Sequence, residues 1–380
     1  MRCRLLTRSG PRVVKLTKDA SSQKPSRTHD NDIAPIDARC HKIQHGMMQS
    51  EIKPATIFRH AYGVYPPLAM LAGMQLDVFT PLKGGPMMAT ALADEIGANA
   101  ARLRPLLYAL VHAELLTVDG DRFANTPEAD LYLVRGRATY MGSAHELYSD
   151  LWGAALTAAQ SIRAGAPQRK HDFAAMSDDE LAAFFRGLHA GALATGRQLA
   201  TTFDFERFRN LLDVGGGSGG VAIAVCQSCP SLKAAVVELP RVARIAQAIV
   251  NESKLASRVQ VQVADILECG PNGRFDAAVL RFLIQVLAPD QARAALRNVG
   301  KAMEPGGALF VVGHVLENSR LKPAAAVGLN LAFVSIYDDG QAYTEEEHRA
   351  WLAEAGFDHI DVQFGVAPGG SSIVTARKRN

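Results

Sequence analysis

Cysteine is sparse and uneven: five residues are scattered through a chain of 380. An odd, dispersed set does not make a disulfide framework, so we expect a reducing compartment and a cytoplasmic protein. The one close pair, Cys226 and Cys229 in "CQSC", has a metal-like spacing but no second pair to complete a zinc site. It follows a glycine turn within an apolar stretch, so both thiols are expected to be buried and structural, with no metal bound. Long apolar runs are also missing. None reaches the roughly 18–20 residues needed to cross a bilayer, so a soluble protein with no membrane partner is expected. Nor is there an excess of one charge. A net +3 is small for this length and argues against a bulk nucleic-acid partner. Apolar residues, at 48%, suffice for the core of one large domain or two ordinary ones.

The chain reads in three parts. Residues 1–46 are rich in Arg, Lys, Ser and Thr, poor in aromatics and without periodicity. Such a segment buries too little to offset its ordering entropy. It is expected to be a disordered extension, or an over-long start preceding Met47 or Met48, although its basic, acid-poor beginning also resembles a transit peptide. Residues 47–200 carry helical patterning. "IFRHAYGVYPPLAMLAGMQLDVF" is interrupted by Pro66 and Pro67, which predicts two helices meeting there. "MMATALADEIGANAARLRPLLYALVHAELL" predicts helix, Gly-Ala-Asn turn, helix, and "TVDGDRFANT" a hairpin with Asp-Gly at its tip. This is a winged-helix pattern. Arg102 and Arg104 sit where a DNA-reading helix would begin, but Leu103, Leu106, Leu107, Leu110 and Val111 mark it as a core helix. Helical patterning is expected to continue from 141 to 200, through "HELYSDLWGAALTAAQSI" and "DELAAFFRGLHAGALATGRQLA".

Residues 201–380 alternate strands and helices, the grammar of a parallel sheet covered on both faces. "NLLDV", "AAVVEL", "VQVQVA", "FDAAVLR", "GGALFVVGHVL" and "SSIVTARK" read as strands. Gly215, Gly217 and Gly220 satisfy G-x-G-x-x-G on a strand-turn-helix, where the backbone can approach a ligand and a helix N-terminus follows. Glu238 ends the next strand, placed to accept from two ribose hydroxyls. These features alone equally fit a nicotinamide oxidoreductase. Asp213, two residues before the first glycine, could reach a ligand ammonium. Asp265 could accept from an adenine amino group, with Ile266 beside the ring.

Together, "LLDVGGGSGG", "VVELPRV", "ADIL" and "NVGKAMEPGG" resemble the class I S-adenosylmethionine-dependent methyltransferases. With the helical front half, residues 55–380 more closely resemble the caffeate and hydroxyindole O-methyltransferases, bacterial small-molecule members included. The resemblance implies a Rossmann-like doubly wound α/β sheet behind a winged-helix-like dimerisation domain, a homodimer, S-adenosylmethionine as cofactor, and a small aromatic or polyketide-like substrate of secondary metabolism. It implies that Asp213, Gly215 and Gly217 line the methionine end of the cofactor. Glu238 would hold the ribose, Asp265 and Ile266 the adenine, and Arg281 would stand near the cofactor. Bottom-up, Arg281 could instead pair with a local carboxylate. The front half would contribute to the substrate pocket, for which Tyr148, Trp152, Phe185, Leu188, Asn330 and Phe333 are candidates, each also an ordinary core residue.

The chain departs from the family where chemistry is expected. Hydroxyl-methylating members carry a histidine in the loop after the fourth strand, and here that position falls on Gln285. The companion glutamates fall on Gly313 and near Ala342. An amide can orient a substrate but cannot take its proton, whereas a phenol of pKa about 10 needs a base worth about 10²–10⁴-fold. Three explanations stay open. The substrate brings its own ionised oxygen, nitrogen or carbon nucleophile; another base, from His189, His314 or His145, substitutes; or the protein binds cofactor without turnover. N- or C-methyl transfer and a cofactor-sensing DNA-binding regulator are the corresponding alternatives to O-methylation.

Overall fold

The computed structural model describes residues 52–137 and 139–380, so the expectations for residues 1–46 lie outside the described residues. The chain from Ala55 onward forms one compact unit. It opens with α1 (Ala55–Tyr62) and α2 (Tyr65–Gln75), with Pro66 and Pro67 in the first turn of α2, where a missing N–H costs nothing. Then come β1 (Met87–Met88), α3 (Ala89–Glu95), α4 (Ala100–His112), β2 (Leu116–Asp119), β3 (Arg122–Asn125) and α5 (Pro127–Tyr132). The Asn99 side chain caps α4 by accepting from the Arg102 amide at 3.1 Å. Asp119 pairs with Arg122, so the hairpin tip is Gly120-Asp121, with Gly120 at φ 60°. The three strands pair β1-β3-β2. Leu92, Leu103, Leu107, Leu110 and Phe123 fill the core between them. Arg104, on the helix that could have read DNA, makes a two-pronged contact with Asp121 on the hairpin at 3.0 and 3.2 Å.

The helices of residues 141–200 fall on the two expected stretches. They divide into α6 (His145–Ala155), α7 (Ala158–Ala164) and α8 (Asp178–Thr202), with a loop over 165–177. Gly165, at φ 64°, terminates α7, and Pro167 prevents its continuation. A capping box restarts the helix: Ser177 Oγ accepts from the Glu180 amide at 3.2 Å and Glu180 accepts from the Ser177 amide at 2.8 Å.

The second sheet has seven strands, β4 (Asn210–Val214), β5 (Lys233–Glu238), β6 (Val259–Val263), β7 (Phe275–Arg281), β8 (Met303–Gly313), β9 (Phe357–Ala367) and β10 (Ser371–Lys378). Their order is β6-β5-β4-β7-β8-β10-β9. The first five are parallel, and β10 runs antiparallel between β8 and β9. The sheet is thus mostly parallel, as expected, with one antiparallel strand next to an edge. The strand pattern leaves 357–367 unassigned because "DHIDVQFGVA" is an edge strand with much of its surface exposed. Connecting helices are α9 (Gly220–Ser228), α10 (Pro240–Glu252), α11 (Pro289–Ala302), α12 (Ala324–Ile336) and α13 (Glu345–Glu354).

Two apolar cores lie on opposite faces of this sheet. One joins Leu212, Val214, Leu280, Val299 and Trp351 under α11 and α13. The other joins Leu199, Leu211, Val225, Val236, Val250 and Val279 under α8, α9 and α10. The last helix of the front half thus belongs physically to the sheet. A Cβ on Gly196 of α8 would lie 2.7 Å from Ala224 of α9, so the two helices meet almost backbone to backbone. Cys226 and Cys229 are buried in this core as free thiols, and burial pushes the Cys226 thiol up to about 11. Among the described residues, no helix is long and apolar enough to cross a membrane and no group of three His, Cys, Asp or Glu side chains could hold a metal.

Candidate active site

The strand order reverses at β4, whose neighbours are β5 on one side and β7 on the other. Beyond the carboxyl ends of β4 and β7 is the crevice where doubly wound sheets bind ligands. Two loops meet there, residues 215–219 after β4 and 282–288 after β7.

The loop after β4 is built over a buried carboxylate. Asp213 has no exposed surface. Its Oδ2 accepts from the Ala222 amide at 3.2 Å, while Oδ1 is buried without a partner. Burial pushes this carboxyl up to about 7, against the Ala222 amide and Arg281, with Glu238 adding to the rise. Gly216 passes directly over it: a Cβ there would stand 2.7 Å from Asp213 Cγ. Gly217 has φ 57° and donates its amide to Glu238 Oε1 at 2.8 Å, while Glu238 Oε2 accepts from the Leu239 amide at 3.0 Å. Each oxygen keeps a lone pair for a further donor. Burial raises the Glu238 carboxyl above the usual carboxylate range, opposed by those two amides.

Asp265 follows β6 and accepts from the Leu267 amide at 2.8 Å. Ile266 is built into the core rather than standing clear of it. A residue given no role from the sequence holds this turn: the buried Asn298 of α11 donates Nδ2 to the Ile266 carbonyl at 2.8 Å. The only signal was a polar residue on the apolar face of α11.

The loop after β7 starts with a strained residue. Phe282 has φ 56°, unusual for an aromatic side chain and a feature that gathers at functional sites. Among the described residues, Arg281 has no carboxylate at ion-pair distance. Its Nε donates to Thr195 Oγ1 of α8 at 3.0 Å, and its guanidinium carbon lies 4.3 Å from the Phe282 ring centre. Burial lowers it to about 10. Gln285 is 7% exposed, and its Oε1 accepts from the backbone amide of His314 at 3.0 Å. A Cβ on Gly313 would stand 3.1 Å from that oxygen, so the glycine leaves room for the glutamine side chain. A cavity of about 10 Å³, room for roughly one water, lies between Gln285, Phe282, Gly313, His314, Tyr343 and His348.

The candidate bases are dispersed. The His314 ring stacks on Phe282 at 5.3 Å, and its buried Nδ1 has no partner. Burial, then Arg281, lowers it to about 4, so it is neutral near pH 7. His189 lies on the other side, its Nδ1 2.9 Å from Ser218 Oγ in the glycine loop, and burial lowers its pKa. Half-buried His145 opens α6.

Among the substrate candidates, Phe333 lies 6.1 Å from the His314 ring and so joins the Gln285 group. Phe185 lies against the glycine loop, 3.2 Å from where a Gly217 Cβ would stand. Tyr148 and Trp152 stack on each other at 5.7 Å on α6. Asn330 uses Oδ1 to accept from the Ala342 amide at 2.8 Å, fixing the segment before α13.

Residues 160–358 match the model of the O-methyltransferase domain, and residues 58–135 that of the O-methyltransferase dimerisation domain. The chain belongs to the O-methyltransferase family. It is 26% identical over 331 residues to the tetracenomycin polyketide synthesis 8-O-methyl transferase TcmO of Streptomyces glaucescens, covering 86% of this chain and 97% of that one. It is 30% identical over 299 residues to the N,N-dimethyltransferase OxyT of Streptomyces rimosus, covering 76% and 86%. Human N-acetylserotonin methyltransferase in complex with S-adenosylmethionine shares the fold, with a TM-score of 0.74 at 24% identity over 87% of this chain and 99% of that one.

The family's cofactor is S-adenosylmethionine, which sets aside the nicotinamide reading. The residues present fit it. The orphaned Asp213 Oδ1 calls for a donor or a cation, and the glycine loop leaves its backbone open to close approach. As a methyltransferase of the small-molecule family, the protein uses a cofactor whose sulfonium presents a methyl group and leaves as a neutral thioether.

Proposed function

We propose that this enzyme transfers a methyl group from S-adenosylmethionine to a hydroxyl of a small aromatic or polyketide-like metabolite, acting as a homodimer, with Gln285 orienting the acceptor without taking its proton. The observation that carries the reading is the fixed amide of Gln285. With Oε1 committed to the His314 amide, Nε2 is the part of the side chain left to donate to an acceptor oxygen. Asp213, Gly215 and Gly217 would hold the methionine end of the cofactor, Glu238 the ribose, and Asp265 with Ile266 the adenine. Arg281 would add positive charge beside them. Phe282, His314 and Phe333 supply an apolar, aromatic wall of the kind planar ligands use. The exposed apolar row Ile57, Phe58, Tyr62, Tyr65 and Leu68, within or beside the matched dimerisation segment, supports the homodimer.

A second reading has its own support. OxyT, named for N,N-dimethylation, has the higher identity of the two relatives compared above, over a shorter stretch, and a neutral amine needs no base to attack a methyl group. Labelled S-adenosylmethionine offered to phenols, hydroxyquinones, polyketide acids and aromatic amines, with products resolved by mass spectrometry, separates the two. Label on oxygen is the expected result. Label on nitrogen alone overturns the proposed acceptor.

A further inference from the structure

Taking a proton from a hydroxyl requires a group that Gln285 does not provide. Among the described residues, two histidines are bonded to a carboxylate. His359 meets Asp358 on the exposed edge strand β9, away from the crevice. The other is His171, in the loop that interrupts the front-half helices. Its Nε2 lies 2.6 Å from Asp150 Oδ2 of α6. An ionised carboxylate accepts only, so Nε2 carries the proton and Nδ1 is the free, basic nitrogen.

Relayed packing leads from this pair toward both halves of the crevice. His171 lies 5.9 Å from Phe173 and 5.6 Å from Phe184, and Phe173 lies 5.8 Å from Phe185, the ring that covers Gly217. On the other side, the loop is fastened to α12 where the Arg169 amide donates to the Ser335 carbonyl at 2.8 Å. The Tyr337 ring, 5.1 Å from Phe333, leads back to His314 and Gln285. The His171 side chain is 14% exposed, covered on most sides yet open enough to pass a proton to water. Charged and titratable neighbours are Asp150 on α6, Arg169 at 3.7 Å from Asp150 Oδ1 and the Lys170–Asp338 pair; Tyr337, just past the end of α12, feels the Asp150 charge. The hydrogen bond to His171, then the charges of His171 and Arg169, hold Asp150 below the usual carboxylate range despite burial.

We propose that His171, oriented by Asp150, is the general base that replaces the family histidine, reached from the loop before α8 instead of the loop after β7. The inference rests on methyl transfer to a hydroxyl. In that step the acceptor O–H proton goes to His171 Nδ1, and an oxygen lone pair forms the new C–O bond. The C–S bond breaks with its electron pair kept by sulfur. Asp150 stabilises the imidazolium, which then releases its proton to solvent.

The test compares wild type, His171→Gln and Asp150→Asn on two probes with labelled S-adenosylmethionine: a naphthol, un-ionised at the assay pH, and an acidic hydroxyquinone, already ionised. Glutamine can still donate to Asp150, which keeps the loop tied to α6. S-adenosylhomocysteine affinity and melting temperature report that each variant is folded. The expected result is a loss of about 10²–10⁴-fold on the naphthol for His171→Gln, a smaller loss for Asp150→Asn, and rates within a few-fold of wild type on the hydroxyquinone. Wild-type naphthol rate and pH profile retained in His171→Gln would overturn the base assignment, as would equal loss on both probes. Failure of the wild type to methylate either hydroxyl, with transfer to an aromatic amine, would instead overturn the proposed acceptor and the base with it.

Discussion

On the β4 side of the crevice, backbone does the holding. Two amides fix Glu238, one fixes Asp213, and glycines at 215–217 bring the chain close enough for a ligand to meet it. On the β7 side, side chains do it: Gln285 grips a β8 amide, Arg281 grips a threonine on α8, and an aromatic group surrounds them. Geometry made from backbone tolerates few residue types. Geometry made from side chains can be rebuilt with another set.

The largest effect should come from placing a side chain in the backbone-built half. Gly217→Val forces a β-branched residue to φ 57° and drives its Cβ toward Phe185. S-adenosylhomocysteine affinity, measured by calorimetry on the folded protein, should fall more than about 100-fold, equivalent to about 3 kcal/mol. Glu238→Ala should follow. Losing hydrogen bonds to a charged acceptor costs about 1.5–3 kcal/mol, roughly 10- to 100-fold in the same affinity. An unchanged value would show that this strand end does not hold the ribose.

A subtler effect belongs to Asp213. Its native pKa is raised, so between about pH 4 and about pH 7 the folded chain holds a proton that the unfolded chain has lost. The stability it contributes therefore falls as pH rises through that window and is level above it. A cationic ammonium favours the ionised form, so ligand binding should expel the proton. Affinity for S-adenosylhomocysteine should rise between about pH 5.5 and about pH 7, below the α-amino range, by up to about tenfold per unit. Asp213→Asn should flatten the rise.

The sequence made the first half of this comparison legible and obscured the second. Glycine spacing, strand-end carboxylates and the change of grammar near residue 201 are local signals, written in neighbouring residues. The departure at Gln285 was also local. The proposed base was not: His171 and Asp150 are 21 residues apart and meet because Gly165 and Pro167 end α7 and release a loop across α6 and α12. The sequence left that loop between two helical stretches, with no role for its residues. Asn298 and Thr195 were likewise invisible, because each acts on a backbone or side chain more than 30 residues away. The edge strand β9 lacked the apolar run that identified the buried strands.

The central claim is that Gln285 orients the acceptor and does not titrate, and the pH dependence of kcat/KM in wild type and Gln285→Ala tests it most directly. The account predicts a lower kcat/KM in the variant, from weaker acceptor binding and poorer alignment, with the same apparent pKa and unchanged S-adenosylhomocysteine affinity. A shift of that pKa by about one unit or more, with cofactor affinity intact, would couple Gln285 to the group that takes the proton and contradict the account.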